Sequence, residues 1–452
     1  GWEVLAAPDG TLTDRNGQTY NYLYWEGISG AVYDLSEGYC VAGEDTAAFL
    51  EDALAKLGLN RREANEFIVY WLPQMENNKY NFKDLEPLTS ADIGKKYHKY
   101  AVLIAARNEE KVIGNLIDSI KKQDYPSELV DVFVIADNCD DKTAENARAA
   151  GAEVFERTNK ELRGKGFALE WMFDKIFHME EKFDSICIFD ADNVVSKNFL
   201  REINAQHNKG FRVVQGNIES KNPYDSWIST AYSVSFWMIG KIFQQARYNI
   251  NMTCQLSGTG FSVDVELLKE LGWGATCLTE DMEFTAKLAL NGEKVGWAHH
   301  AKVFDEKPLG FWQSWRQRKR WMQGHADVQS RFAIKLLKKA IRDKDWSAFD
   351  CAVYTMNPIK TLAMAVILIM SYIQVFFPEG NIGFFQLWMA VDNDALFAII
   401  GAVSALYIPA IITYEKREFN FKLFWCYLTY GIYSLTWIPI TILGVIDKNK
   451  TE

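Results

Sequence analysis

From Tyr100 onward the chain alternates short apolar runs, rich in β-branched residues, with segments whose apolar residues recur at helical spacing. Tyr100 to Ala106 is the first run, and Val112, Ile113, Leu116, Ile117 and Ile120 after it fall on one helical face. Val130 to Ala136 reads as the next strand, followed by a helix through Ala144 to Ala150 and a short strand around Ala152 to Phe155. Further strands are predicted at Ser185 to Phe189 and Phe211 to Gln215. A β-α-β alternation implies an α/β fold with a Rossmann-like, mostly parallel sheet, covered by helices and holding its ligands at the carboxyl ends of the strands. Those ends are where the chemistry is to be sought.

The first strand ends in Ala105-Ala106-Arg107-Asn108-Glu109-Glu110, which is not the glycine-rich fingerprint of a dinucleotide site. The second ends in Ala136-Asp137-Asn138-Cys139-Asp140-Asp141. Asp137, at the strand end itself, is placed to accept hydrogen bonds from a base or ribose, whereas Asp140 and Asp141 read as helix-capping acids. The strand Ser185 to Phe189 runs directly into Asp190-Ala191-Asp192-Asn193. Two carboxylates one residue apart offer hard oxygen ligands to Mg²⁺ or Mn²⁺, and such an ion can bridge a diphosphate and neutralise it as it leaves. An isolated triplet of this kind is usually a solvated turn, but its position after a buried strand favours the metal reading.

Farther on, Leu278-Thr279-Glu280-Asp281-Met282-Glu283-Phe284 packs three acids among apolar residues. Partial burial would raise a carboxylate toward the pKa of a general base, and an acidic helix N-terminus would show the same residues. The local sequence admits both. Arg316-Gln317-Arg318-Lys319-Arg320-Trp321 is the strongest basic cluster. Arginine forks fit phosphate oxygens, and a tryptophan face can carry a sugar ring.

Composition narrows the partners. The 59 acidic against 49 basic residues leave a formal net charge of −10, which argues against nucleic-acid binding. Seven cysteines are widely spaced with no C-x-x-C pair, as for free thiols in a reducing compartment. Charge vanishes over Thr361 to Pro378, Ala395 to Tyr414 and Leu423 to Ile446, which predicts about three membrane-crossing helices within residues 361–446 and a multi-pass protein in the bilayer. Lys416, Arg417 and Lys422 in the loop Glu415 to Lys422 put that loop and the soluble region on the cytoplasmic side. Residues 331–345 read as an amphipathic interfacial helix, with Phe332, Leu336, Leu337 and Ile341 on one side and Lys335, Lys338 and Lys339 on the other. Gly1 to Leu23 shows no apolar signal segment. Residues 1–90 form a small α+β module with a hairpin over Trp2 to Ala7 and beyond, a helix from Asp45 to Leu57, and a second from Asn60 to Pro73. Its aromatic residues Tyr20, Tyr22, Tyr24, Trp25, Tyr70 and Trp71 read as core.

Taken in order, these motifs resemble family 2 glycosyltransferases of the GT-A fold, of the membrane type that includes cellulose, hyaluronan and poly-N-acetylglucosamine synthases. The resemblance covers residues 98–330 and rests on Ala105-Ala106-Arg107-Asn108-Glu109, Asp137, Asp190-Ala191-Asp192, Gly258-Thr259-Gly260-Phe261, Thr279-Glu280-Asp281 and Gln317-x-x-Arg320-Trp321. It implies an inverting, metal-dependent transfer from a UDP-sugar to a polysaccharide chain, or in the alternative one sugar to a lipid acceptor. By the same resemblance Ala105, Arg107, Glu109 and Asp137 bind the donor, with Asp137 on the uracil. Lys165, in Gly164-Lys165-Gly166, also lies near the donor. Asp190 and Asp192 hold donor and Mg²⁺ or Mn²⁺, Asp281 with Glu280 beside it serves as base, and Gln317 and Arg320 bind the diphosphate. Gly258, Thr259, Gly260 and Trp321 line the acceptor.

Overall fold

The structure, a computed structural model, describes residues 4–6, 12–14, 18–20, 46–56, 58–75, 96–274, 277–376 and 421–448. The chain divides into two compact units, Gly1–Lys79 and Tyr80–Glu452. In the first, Val4–Ala6, Leu12–Asp14 and Thr19–Tyr20 form a small antiparallel sheet. Helices Thr46–Lys56 and Arg61–Met75 pack through Leu50, Leu54 and Ala64. The second helix does not stop at Pro73 but ends two residues later. Tyr22, Tyr24 and Trp25 lie outside the described residues.

The second unit is built on an eight-stranded sheet. Its strands are β1 (Tyr100–Ala106), β2 (Val130–Asp137), β3 (Glu153–Arg157), β4 (Ser185–Asp190), β5 (Val194–Val195), β6 (Val213–Ser220), β7 (Phe261–Asp264) and β8 (Val295–Asp305). They lie in the order β3-β2-β1-β4-β7-β6-β8-β5. The pairs β2–β3, β1–β2, β1–β4 and β6–β8 are parallel, while β7 runs antiparallel to both β4 and β6, and β5 antiparallel to β8. The sheet is therefore mostly parallel, as the alternation predicts. Strands β5, β7 and β8 were not legible beforehand; β5 and β7 have two and four residues, too few for a period to register.

Both faces of the central strands are buried, which explains why β1 reads as a continuous apolar run rather than an alternation. Ala101 and Leu103 join Phe133, Ile135, Leu169, Phe173 and Ile188 on one face. Val102 and Ile104 join Ile113, Leu116, Ile117, Phe199 and Ile203 on the other. The first face is covered by α3 (Lys165–His178) and the second by α1 (Ile113–Lys121) and α4 (Phe199–Asn208). Helix α2 (Thr143–Ala149) follows β2.

Helix α5 (Trp227–Met238) lies between β6 and β7, and α6 (Val265–Leu271) and α7 (Glu280–Leu290) between β7 and β8; after the sheet come the 33-residue α8 (Phe311–Asp343), then α9 (Trp346–Thr355), α10 (Asn357–Phe376), α11 (Phe421–Leu435) and α12 (Trp437–Ile446). Among the described residues one helical stretch, Thr429–Ile446, is long and apolar enough to cross a membrane. It falls in the third of the three expected spans; the first forms α10, and Ala395 to Tyr414 lies outside the described residues. The face of residues 331–345 expected to meet lipid is packed differently. Leu336, with Phe332 and Leu337 beside it, sits against Met282, Ala286 and Ala348 of α7 and α9. Helical periodicity reports an apolar face but not whether protein or lipid covers it. Of that face Ile341 stays 81% exposed.

Candidate active site

Strand β4 delivers Asp190 to the sheet's carboxyl edge, and the turn that follows is held in place by a short strap, Ser257 to Gly260. The Asp190 N–H donates to Thr259 Oγ1 at 3.0 Å and to Asn193 Oδ1 at 3.3 Å, and the Thr259 hydroxyl also donates to Asn193 Oδ1. Asn193 Nδ2 in turn donates to Asp192 Oδ1 at 3.1 Å. From beneath, the buried Gln215 accepts the Ser257 N–H at 2.9 Å and donates to Thr259 O at 2.9 Å. Gly258 and Gly260 take φ of 78° and 64°. A Cβ at Gly260 would also lie 2.5 Å from Val303 Cγ1, so a side chain there is excluded twice over.

One ammonium joins this strap to the acids. Lys165 Nζ, from the first turn of α3, lies 2.5 Å from Asp190 Oδ1 and donates at 2.5 Å to Gly258 O. Burial works against its charge, but Asp190 and Glu280 outweigh it and hold Lys165 above its ordinary pKa. On the far side of Gly258 stands Asp281, whose Oδ2 lies 3.5 Å from where a Gly258 Cβ would be. Burial, then the Glu280 charge, pushes Asp281 up to about 7. Helix α7 begins at Glu280, and Asp281 Oδ1 accepts the Met282 N–H at 2.8 Å. Asp281 thus stands in the first turn of an acidic helix N-terminus, and burial raises its pKa there. Glu283 faces the other way, its Oε1 2.5 Å from Arg331 Nη1 on α8.

The residues expected to meet the donor lie at the ends of β1 and β2. Ala105 is in register with Asp190, and Arg107 beyond it is exposed. Asn108 and Asn138 both take left-handed conformations, and the Asp140 N–H donates to Asn108 Oδ1 at 3.0 Å, knitting the two strand ends together. Asp141 Oδ1, just ahead of α2, accepts the Thr143 N–H at 2.9 Å, while the N-cap position itself falls on Lys142, which makes no side-chain cap, so neither Asp140 nor Asp141 is the capping residue expected. Glu109 is pushed up by burial and then by Asp190 and Asp141. Burial, followed by Asp190, Asp305 and Glu109, raises Asp192 to about 6. Among the described residues no three His, Cys, Asp or Glu side chains are grouped as a metal site. The two carboxylates Asp190 and Asp192 nonetheless fit a divalent ion, because a hard cation would offset the burial and the Asp190 charge that together raise Asp192.

Residues 98–324, which are 227 of 452 residues, match the family described as "Glycosyltransferase like family 2". The chain is a family 2 glycosyltransferase. It is similar to the probable glycosyltransferase YdaM of Bacillus subtilis (strain 168), 24% identical over 79% of this chain and 84% of that protein. A beta-monoglucosyldiacylglycerol synthase of Synechocystis sp. is 27% identical over 54% of this chain, though the match spans 51% of that enzyme's length. The poly-beta-1,6-N-acetyl-D-glucosamine synthase of Staphylococcus epidermidis is 23% identical over 84% of this chain and 89% of its own.

In this glycosyltransferase α8 packs against α7. A Cβ at Gly324 would fall 2.3 Å from Thr279 Oγ1, so only glycine lets α8 approach the segment leading into Asp281 this closely. Of the three residues singled out on α8, Arg320 is exposed while Gln317 and Trp321 are half-buried. Burial raises the pKa of Glu280, against which the Lys165 charge and, less strongly, that of Arg320 favour the ionised form. Trp321 stands 6.0 Å from the Tyr232 ring and 6.5 Å from that of Trp437.

Arg157 is a residue of this region that sequence reasoning missed. Its Nη1 lies 2.5 Å from Asp137 Oδ1, and its Nη2 donates to Leu162 O at 2.7 Å. Asp137 and Arg157 are register partners on β2 and β3. A basic residue ending the short strand after β2 was the available signal.

Proposed function

We propose that this enzyme transfers a sugar from a UDP-sugar, with inversion, to a growing polysaccharide chain at the membrane. The observation that supports this most strongly is the convergence of Asp281, Gly258, Lys165 and Asp190 on one cleft, with a raised carboxylate facing a charged donor end. In this reading residues 98–330 are the catalytic unit. Asp137 takes the uracil edge, and Ala105, Arg107 and Glu109 border the nucleotide. Lys165, Gln317 and Arg320 contact the diphosphate, while Gly258, Thr259, Gly260 and Trp321 hold the acceptor. Bound to Asp190 and Asp192, Mg²⁺ or Mn²⁺ would supply charge that stabilises the departing diphosphate.

Asp281, as the base, takes the proton of the acceptor hydroxyl. The oxygen then bonds to the anomeric carbon from the face opposite the bond that breaks, and UDP leaves with that bond's electron pair. Lys165 and Arg320 meet the charge that develops on the diphosphate. Glu280 keeps the neighbouring field negative and so raises Asp281.

Similarity to the poly-N-acetylglucosamine synthase over most of both chains favours a polymer product. Similarity to a diacylglycerol glucosyltransferase supports the second reading, one sugar placed on a lipid. Either acceptor reaches a protein held at the cell membrane through Thr429–Ile446. Incubating the detergent-purified chain with a panel of UDP-sugars and Mg²⁺ or Mn²⁺ tests both. Release of UDP with a lengthening product supports the synthase, and release with a single-sugar lipid supports the alternative. A protein that binds a UDP-sugar and releases no UDP from any donor would be a sensor instead.

A further inference from the structure

Arg318 is the bulkiest of the fully enclosed side chains, 0% exposed in the middle of the turn that also carries Gln317, Arg320 and Trp321. Its guanidinium lies over two rings of the C-terminal helices, 4.5 Å from the centre of Tyr433 and 5.1 Å from that of Trp437. Nη1 donates at 2.8 Å to Thr436 Oγ1, in the turn between α11 and α12, and among the described residues Nε and Nη2 have no hydrogen-bond partner. A fully enclosed cation held by rings and one hydroxyl is an expensive way to fill space. Packing alone would be served by leucine or methionine.

The contacts around it share one direction. Lys319 Nζ lies 2.5 Å from Asp447 Oδ2, and Gln323 Nε2 donates to Asp447 O at 2.9 Å. The rings of Trp321 and Trp437 stack with 19° between their planes. Gly444 approaches so closely that a Cβ there would be 2.5 Å from Met322 Cβ. Residues 318 to 323 therefore grip residues 433 to 447, a range that overlaps most of the apolar stretch Thr429–Ile446. The opposite side of α8 touches Thr279 through Gly324.

We infer that Arg318 is a positioning residue: by docking into the Tyr433–Thr436–Trp437 cradle it fixes the rotation of α8, and with it the aim of Gln317, Arg320 and Trp321 at the cleft. This rests on the functional reading proposed above. The nucleoside end, on β1 to β3, does not depend on the joint. A displacement of about 1 Å at a reacting group costs on the order of 10²-fold in rate, so transfer is far more sensitive than nucleoside binding.

The test compares parent, Arg318→Met, Arg318→Lys and the double variant Thr436→Val/Trp437→Leu, all full-length in lipid nanodiscs. UMP affinity, melting temperature, and kcat and KM for transfer are measured on each. The expected pattern for Arg318→Met is UMP affinity within about twofold of the parent and a kcat lower by ~10-fold or more. Arg318→Lys keeps the charge without the planar fork and recovers part of the loss. The double variant removes two of the cradle's three residues and leaves α8 intact, so it decides the matter should Arg318→Met not fold, and it is expected to show the same split. Parental kcat in a folded variant would overturn the inference, as would parallel loss of UMP binding and transfer in the double variant. A parent that transfers no sugar from any UDP donor would instead overturn the functional reading.

Discussion

Lys165 and Asp190 form an ion pair with 2.5 Å between Nζ and Oδ1, and the same ammonium accounts for the Gly258 carbonyl at 2.5 Å. One side chain thus ties the end of β4 to the strap beside Asp281. Replacing it with methionine removes two charge-assisted hydrogen bonds, each worth roughly 1.5–3 kcal/mol. We expect Lys165→Met to raise the donor KM and to lower kcat by ~10-fold or more, read by initial-rate UDP release. Unchanged kinetics in the folded variant would show that Lys165 plays no part in the donor site.

Metal removal should stop transfer reversibly. Asp190 and Asp192 present hard oxygens, and Asp192, raised to about 6, must be ionised to bind an ion well. Apparent Mn²⁺ affinity should therefore weaken as pH falls below about 6, measured by titrating metal into EDTA-stripped protein. Full turnover in excess EDTA would remove the ion from the mechanism.

Asp281→Asn keeps shape and most hydrogen bonding but cannot take a proton, so transfer should fall by roughly 10²-fold or more while nucleotide binding survives. In the parent, kcat should climb as pH rises toward about 7 and level off above it, following the ionised carboxylate. Stability runs the opposite way. A folded pKa near 7 against about 3.9 unfolded means the native state holds the extra proton between those values. This group's contribution is therefore full at low pH and is lost as pH rises through that window. Melting temperature and rate measured across the same buffers would separate the two trends.

Gly324→Ala places a methyl group where Thr279 Oγ1 lies 2.3 Å away. Overpacking of this kind costs about 1–3 kcal/mol. Because α8 must shift from the segment leading to Asp281, the rate should fall more than the stability change implies. The pairing Gly324→Ala/Thr279→Ala removes the hydroxyl and the methyl group nearest the new side chain and should recover part of the activity in the same assay.

Breaking the Asp137–Arg157 pair should act on the nucleoside end alone. The two side chains are 8% and 6% exposed, and removal of one member of a buried pair costs about 3–5 kcal/mol. Arg157→Met should melt markedly lower and bind UMP more weakly by calorimetry, since Asp137 then loses the partner that orients it. Parental UMP affinity would separate Asp137 from base recognition.

The sequence by itself determined the α/β alternation, the strand ends that carry Asp137 and Asp190, and the acids of Glu280 and Asp281, because strand burial and helical period leave direct marks in residue order. Tertiary structure decided the rest. The antiparallel β7 between β4 and β6 follows from pairing between segments distant in sequence, and it is what brings Gly258 beside Asp190. The same holds for Arg157, which gains meaning only when β3 pairs in register with β2. Residues 331–345 show the limit most clearly: their apolar face looks alike whether lipid or α7 and α9 cover it, and only packing chose the latter for Leu336. Arg318, indistinguishable in sequence from its basic neighbours, is the one that the fold encloses, because the helical turn points it at Tyr433 and Trp437 and leaves Arg320 exposed.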